Sequence, residues 1–205
     1  MYYRHDRGQG VILYLYVDDI LIFGISLDVI KEVKTFLCKS FDMKDLGEAD
    51  VILNIRLIRG ENEITLTQSR YVENVLSCFG YKDSKPSATP YDPSLIFRKN
   101  RSIGRDQLRY SHIIRSLMYL ISATRSDISF TVIKLVRFTF NPRNDHWHAL
   151  ERVMHYMVGT MDYIIYYFRY PTILKGYSDA SWIFDVDELY TTSGYVFTLG
   201  GVAVS

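Results

Sequence analysis

Two adjacent carboxylates, Asp18 and Asp19, stand between two apolar runs, and they are the residues here best placed to do chemistry. Val11-Ile12-Leu13-Tyr14-Leu15-Tyr16-Val17 precedes them and Ile20-Leu21-Ile22-Phe23-Gly24 follows. Both runs are rich in β-branched and aromatic residues, so the pattern predicts a β-hairpin over about residues 10–24 with the acid pair at its tip. Neighbouring carboxylates repel each other, and a hard divalent cation relieves that repulsion. Mg²⁺ is commonly held by one or two carboxylates together with substrate phosphates. The competing reading is a plain solvent-exposed turn, a position Asp favours. A membrane span over residues 11–29 is excluded on energy. Each Asp at a helix centre costs about 2.5–3.5 kcal/mol, and the apolar residues do no more than cancel that cost.

A second candidate is basic. Residues 98–115 carry Arg98, Lys99, Arg101, Arg105, Arg109 and Arg115 against Asp106 alone. Such a stretch tracks phosphates in a nucleic-acid enzyme and is equally the composition of a solvated loop. Acids gather instead after Tyr170, at Asp179, Asp185, Asp187 and Glu188. Gln68 and Tyr71 are placed to touch a nucleic-acid backbone or, alternatively, to serve as a helix cap and a core ring. His146, His148 and His155 lack the companion ligands of a zinc site. Arg125 and Asp127 suit an ion pair or cap at a helix start.

Elements to position these groups follow from periodicity. Residues 26–41 have helical spacing, with Ser26 at the N-cap. Val51–Ile58 and Glu63–Thr67 read as strands around a turn containing Gly60. Tyr71, Val72, Val75, Leu76 and Phe79 form a helical stripe closed by Gly80. Pro86, Pro90, Pro93 and Gly104 mark 82–104 as an extended linker. Helices are expected over 106–123, 127–139 and 145–158. Strands resume from Tyr163, the best of them Leu174–Ser178, Gly194–Leu199 and Val202–Ser205.

The 205 residues carry 24 basic and 23 acidic side chains, a net charge of +1, so charge alone does not announce nucleic-acid binding. The composition is that of a globular protein able to bury a core. Cys38 and Cys78 have no ligand or redox spacing and read as reduced thiols. The polar start Met1-Tyr2-Tyr3-Arg4-His5-Asp6-Arg7 has no signal-peptide core. An intracellular protein, cytoplasmic or nuclear and not secreted, is expected.

The chain resembles the reverse transcriptase of copia-type LTR retrotransposons along nearly its whole length. Tyr16-Val17-Asp18-Asp19 is similar to that family's polymerase metal-binding box. In the family's order follow Leu46-Gly47-Glu48-Ala49 with Ile52-Leu53-Asn54-Ile55, then Gln68-Ser69-Arg70-Tyr71-Val72, Ser116-Leu117-Met118-Tyr119-Leu120 and Thr124-Arg125-Ser126-Asp127-Ile128. His146-Trp147-His148-Ala149 precedes Arg152-Val153 and Gly159-Thr160, and Gly176-Tyr177-Ser178-Asp179-Ala180-Ser181-Trp182 leads to Thr192-Ser193-Gly194-Tyr195-Val196-Phe197.

The resemblance implies an α+β fold: palm-type antiparallel hairpins packed on helices, a helical thumb and connection region, and the first strands of an incomplete RNase H-like domain. Its divisions fall at 1–81 (end of the palm and start of the thumb), 82–170 (linker and helical thumb/connection) and 171–205 (truncated RNase H-like start). It implies RNA-directed DNA polymerisation by two-metal nucleotidyl transfer in the intact protein, with Mg²⁺ or Mn²⁺ as cofactor and an RNA/DNA primer-template as partner. Asp18 and Asp19 would be catalytic metal ligands and Asp179 a metal ligand of the RNase H part. Tyr16, Gln68, Arg98, Lys99, Arg101, Arg105 and Arg109 would contact nucleic acid.

An upstream palm strand with its own Asp, the fingers and the later RNase H acids are expected outside these residues, so the fragment is expected to be inactive alone. The alternative is a decayed remnant or a repurposed interaction module. It is motivated by departures from the family pattern: Asn54 and Arg115 where glycine is usual, Ser126 for proline, Glu151 for a basic residue, His155 for Arg, Ser181 for an acid and Phe184 for glycine.

Overall fold

The computed structural model describes residues 2–6, 9–168, 173–181, 192–199 and 202–203. These divide into two compact units, residues 1–49 and 50–205. The fold is α+β, with five α-helices and three small antiparallel sheets among the described residues.

In the first unit, strands β1 (Tyr2–Asp6), β2 (Gln9–Tyr16) and β3 (Asp19–Gly24) form a sheet in that order, followed by helix α1 (Leu27–Ser40). The β2–β3 ladder runs from Val11 opposite Gly24 to Tyr16 opposite Asp19. The expected hairpin is present with one refinement: the two-residue turn is Val17-Asp18, and Asp19 opens β3. Strand β1 was not foreseen. Its residues are mostly polar, and its pairing with β2, Tyr2 opposite Leu13, is what makes it a strand.

Gly24 lets the helix come close to the sheet, since a Cβ there would sit 3.0 Å from Ile30 Cγ1. Ser26 occupies the N-cap of α1, but its side chain makes no capping bond. Instead Lys34 Nζ donates to Asp45 Oδ1 at 2.8 Å, and Gly47 N–H donates to the same oxygen at 2.9 Å. This pair fastens the following loop to α1. The hydrogen bond from Lys34 holds the Asp45 carboxyl below its usual range.

The second unit opens with β4 (Val51–Ile52), β5 (Ile55–Arg59) and β6 (Glu63–Thr67). The single strand expected over Val51–Ile58 is therefore a tight hairpin. Leu53 and Asn54 both have positive φ, +51° and +56°, as a two-residue turn of the primed kind demands. Helix α2 (Ser69–Cys78) ends as its sequence predicts. Gly80 has φ +75°, Tyr81 N–H donates to Leu76 O at 2.7 Å and Gly80 N–H to Ser77 O at 3.2 Å, which together make a Schellman closure.

Helices α3 (Gln107–Ile121), α4 (Ser129–Val136, entered through a 3-10 turn at Ser126–Ile128) and α5 (Asn144–Gly159) pack with α2 around the main core. Leu76, Ile113, Leu117, Leu135, Leu150 and Met154 are fully buried there. At roughly 1.5–3 kcal/mol per buried aliphatic side chain, this cluster is the main source of the unit's stability. Strand β7 (Ile164–Phe168) then returns to the first sheet of this unit and pairs with β6, giving the order β4-β5-β6-β7. The last sheet is β8 (Lys175–Ser181), β9 (Thr192–Leu199) and β10 (Val202–Ala203), in the order β10-β9-β8. Val204 and Ser205 lie outside the described residues.

The segment 82–104 has no helix or strand, as expected, but it is not a free linker. Leu95 and Phe97 pack against the helical core. Ser87 N–H donates to His155 O, and Arg152 Nε donates to Thr89 O, both at 3.1 Å. Among the described residues no helix is long and apolar enough to cross a membrane.

Candidate functional site

The acid pair sits at the β2–β3 turn. Tyr16 ends β2, and Asp18 and Asp19 are both exposed. Val17, between Tyr16 and Asp18, has φ +50° and is 79% exposed. A β-branched side chain in the left-handed region is strained, because its Cβ crowds the backbone. The short register, with Tyr16 opposite Asp19, imposes that strain and sets the two carboxylates on consecutive residues at the end of a stiff ribbon. Two hard oxygen donors so arranged suit a divalent cation in type. Among the described residues, however, no group of three His, Cys, Asp or Glu side chains comes together to complete a ligand set. Asp179 lies in β8 opposite Gly194 and is exposed.

The basic residues behave differently from one another. Arg98, Lys99, Arg101 and Arg105 are exposed on one ordered loop. Arg109 is exposed at the start of α3, where its Nη2 donates to Phe79 O at 2.8 Å and so caps the end of α2. That bond gives Arg109 a structural task that sequence reasoning did not foresee.

Gln68 is not at the surface. It is 2% exposed at the N-cap position of α2, and Thr124 Oγ1 donates to its Oε1 at 2.7 Å. Its side chain does not cap the helix either. The expected nucleic-acid contact at Gln68 is thus replaced by a buried polar tie between α2 and the end of α3. Tyr71 is half-buried and packs edge-on against Tyr119 at 5.1 Å, the core alternative.

The basic loop is held at a corner that the sequence marks as a helix stop, Asn141-Pro142, without showing what it grips. Asn141, at the corner between α4 and α5, donates through Nδ2 to Asn100 O at 3.1 Å and to Ser102 O at 3.0 Å. Arg105 N–H donates to Pro142 O at 3.1 Å. Gly104 allows this close approach, since a Cβ would lie 2.3 Å from Asn141 Oδ1 and would displace that side chain. Beneath the loop, His146 stacks on Phe138 at 3.8 Å, and Phe97 meets both rings edge-on. His146 Nδ1 accepts from Arg143 N–H at 3.0 Å, and burial lowers its pKa from the ordinary 6.5, so the buried ring is neutral.

At Asn54, Arg115, Ser126, Glu151 and His155 the departures from the family pattern are accommodated. Asn54 occupies a positive-φ turn, which Asn tolerates better than most residues. Arg115 and Ser126 are exposed, so neither side chain crowds a neighbour. Glu151 lies 3.5 Å from His148 Nδ1. His155 meets Tyr81 edge-on at 5.8 Å. Phe184 lies outside the described residues.

The chain is thus an α+β protein with an exposed Tyr-Val-Asp-Asp hairpin, and comparison with known proteins gives its family. Residues 1–93 match the family profile described as reverse transcriptase (RNA-dependent DNA polymerase). The chain is 37% identical, over 98% of its length, to the retrovirus-related Pol polyprotein from transposon TNT 1-94 of Nicotiana tabacum, of which the match covers 16%. It is 36% identical over 97% of its length to the Pol polyprotein from transposon RE2 of Arabidopsis thaliana, covering 14% of that protein. It is also 30% identical, over its full length, to a transposon Ty5-1 protein of Saccharomyces cerevisiae, covering 68% of that protein. The chain belongs to the copia-type retrotransposon Pol family, in its reverse transcriptase part. It spans about one-sixth of the first of these polyproteins. No solved structure matches it.

Proposed function

We propose that residues 1–205 are the end of the palm, the thumb and connection, and the opening strands of the RNase H part of a copia-type reverse transcriptase. The observation that carries this reading is the Tyr16–Asp19 turn, with both carboxylates exposed at the end of a two-stranded ribbon. In the intact polyprotein Asp18 and Asp19 would hold a Mg²⁺ or Mn²⁺ ion, which neutralises charge on the triphosphate during nucleotidyl transfer. Tyr16 flanks the primer end, and the loop 98–105 tracks the phosphates of the primer-template. Asp179 contributes a ligand to the RNase H centre.

By itself this stretch is inactive. Two-metal transfer requires carboxylates that bracket both ions about 3.5–4 Å apart, and Asp18 and Asp19 are joined by no third ligand among the described residues. The experiment is single-nucleotide extension of a primed RNA template with Mg²⁺. Purified residues 1–205 are compared with a longer Pol protein extended upstream, each with and without Asp18→Asn. Extension is expected from the longer protein alone, and Asp18→Asn should abolish it. Asp18-dependent extension by residues 1–205 would overturn the incompleteness. A longer protein indifferent to Asp18→Asn would overturn the assignment of the turn.

A further inference from the structure

Phe140 is 87% exposed at the corner between α4 and α5, and Ile103 is 98% exposed in the basic loop. The two segments run against each other. Asn141 bonds to the carbonyls of Asn100 and Ser102, Arg105 bonds to Pro142, and Gly104 is pressed on Asn141. Phe97 and Phe138, which precede the two exposed positions, are joined through the buried His146 ring. An aromatic side chain therefore stands in the open, on a corner bonded to the loop that carries Arg98, Arg101 and Arg105. What sets this ring apart from the other exposed apolar side chains is its place next to the cationic loop, and covering a ring of this size with another π-face is favourable.

We propose that Phe140 is a stacking residue for an unpaired base, and that this edge of the chain binds single-stranded nucleic acid. The proposal rests on the reading of loop 98–105 as a phosphate contact and adds to it the class of strand. An aromatic face beside a row of cations is the arrangement that holds single strands, because every base has a π-face while phosphates supply the charge contact. In a duplex the bases are stacked on one another and present no face to Phe140. Guanidinium groups, predominant over the lone Lys99 in this loop, match phosphate in two-point geometry. A membrane surface is disfavoured, since the apolar side chains come from a turn and a loop rather than from one face of an amphipathic helix.

The test uses the whole 205-residue chain and two labelled probes, a twenty-nucleotide oligo(dT) strand and a twenty-base-pair duplex, at fixed salt. Phe140→Ala is expected to weaken single-strand binding about five- to a hundredfold and to change duplex binding less than about twofold. Phe140→Trp should restore the affinity, with tryptophan emission quenched as the oligonucleotide is added. Circular dichroism should be unchanged, because the side chain is exposed.

Equal single-strand affinity for Phe140→Ala and wild type would overturn the proposal. A companion variant, Arg98→Gln with Arg101→Gln and Arg105→Gln, separates the layers. If it weakens binding while Phe140→Ala does not, the phosphate contact stands and the stacking residue falls. If neither matters, the phosphate contact falls as well. Phe140-dependent binding to anionic phosphatidylserine vesicles without oligonucleotide binding would assign this edge to a membrane and overturn the proposal.

Discussion

The guanidinium of Arg125 grips the carboxylate of Asp127 as a fork, Nε to Oδ1 at 2.9 Å and Nη2 to Oδ2 at 2.8 Å. Arg125 is 1% exposed and also donates to Thr160, to its carbonyl at 3.0 Å and its hydroxyl at 2.7 Å. Tyr156 supplies a further hydrogen bond to Asp127 at 2.9 Å and a ring 5.7 Å from the guanidinium. One side chain thus joins the start of α4 to the end of α5. Removing it takes away the charge partner of the Asp127 carboxylate and the guanidinium donors to Thr160, leaving Asp127 with the Tyr156 hydroxyl and the Thr160 hydroxyl with the Tyr156 carbonyl.

Arg125→Met is expected to destabilise the second unit by about 1–3 kcal/mol, less than for a fully buried ion pair because the Asp127 side chain is 31% exposed. Arg125→Lys should recover little, because an ammonium cannot make the fork. Urea unfolding monitored by circular dichroism measures both. A loss below about 1 kcal/mol for the Met variant would show that the pair does not hold the helices.

The pH dependence of stability should have two limbs. Burial lowers the pKa of His146, so below about pH 6.5 the unfolded chain binds the proton more readily, and stability falls as pH falls. Burial alone would raise the Asp127 carboxyl. The hydrogen bonds and charge of Arg125, with the Tyr156 hydroxyl, outweigh that and hold it below 3.8. Its contribution is complete above about pH 3.8 and is lost as the carboxylate protonates below that. His146→Gln, which keeps an acceptor for Arg143, should flatten the upper limb. Asp127→Asn should flatten the lower one. Urea midpoints from pH 3 to 8 read both, and an unaltered upper limb in His146→Gln would remove that histidine from the account.

At the β4–β5 turn, Asn54→Gly should change stability by less than about 0.5 kcal/mol. Asn54→Val should cost about 1–2 kcal/mol, because positive φ penalises a β-branched Cβ. Thermal unfolding of the two variants decides it. Equal midpoints would mean that the turn relaxes out of the left-handed region.

Gly104→Ala should loosen the basic loop. The added methyl would collide with Asn141, at an expected cost of about 1–3 kcal/mol. Amide exchange should quicken in residues 100–105 while the helical core stays protected. Undiminished protection of that loop would show that Asn141 can move aside at no cost.

Much of this architecture is legible in the residues, and the gaps have a common cause. The hairpin, α1, α2 with its Gly80 closure, and the three later helices are written in local periodicity and turn chemistry. What escaped depends on distant partners. Strand β1 exists through its ladder with β2. Gln68 resembles a surface residue until Thr124, 56 positions away, comes to meet it. The proline-marked segment 82–104 reads as slack chain, yet Phe97 and Leu95 anchor it to the core. At the candidate site the acid pair and basic run could be read directly. Asn141-Pro142 could be read as a helix stop, but that this corner grips the basic loop gave no local signal.

The pairing of β6 with β7 also bears on how such a chain is made. Thr67 finds its partner Ile164 only after roughly a hundred further residues have been added. At ordinary rates of about 5–20 residues per second, the β6 edge waits some 5–20 s on the ribosome with its backbone donors and acceptors unpaired. Open edges of that kind recruit other strands. A transcript that stops early, between α5 and β7, would leave a stub whose helices are complete but whose β6 edge never meets its partner. Such stubs are expected to clump rather than accumulate as soluble fragments.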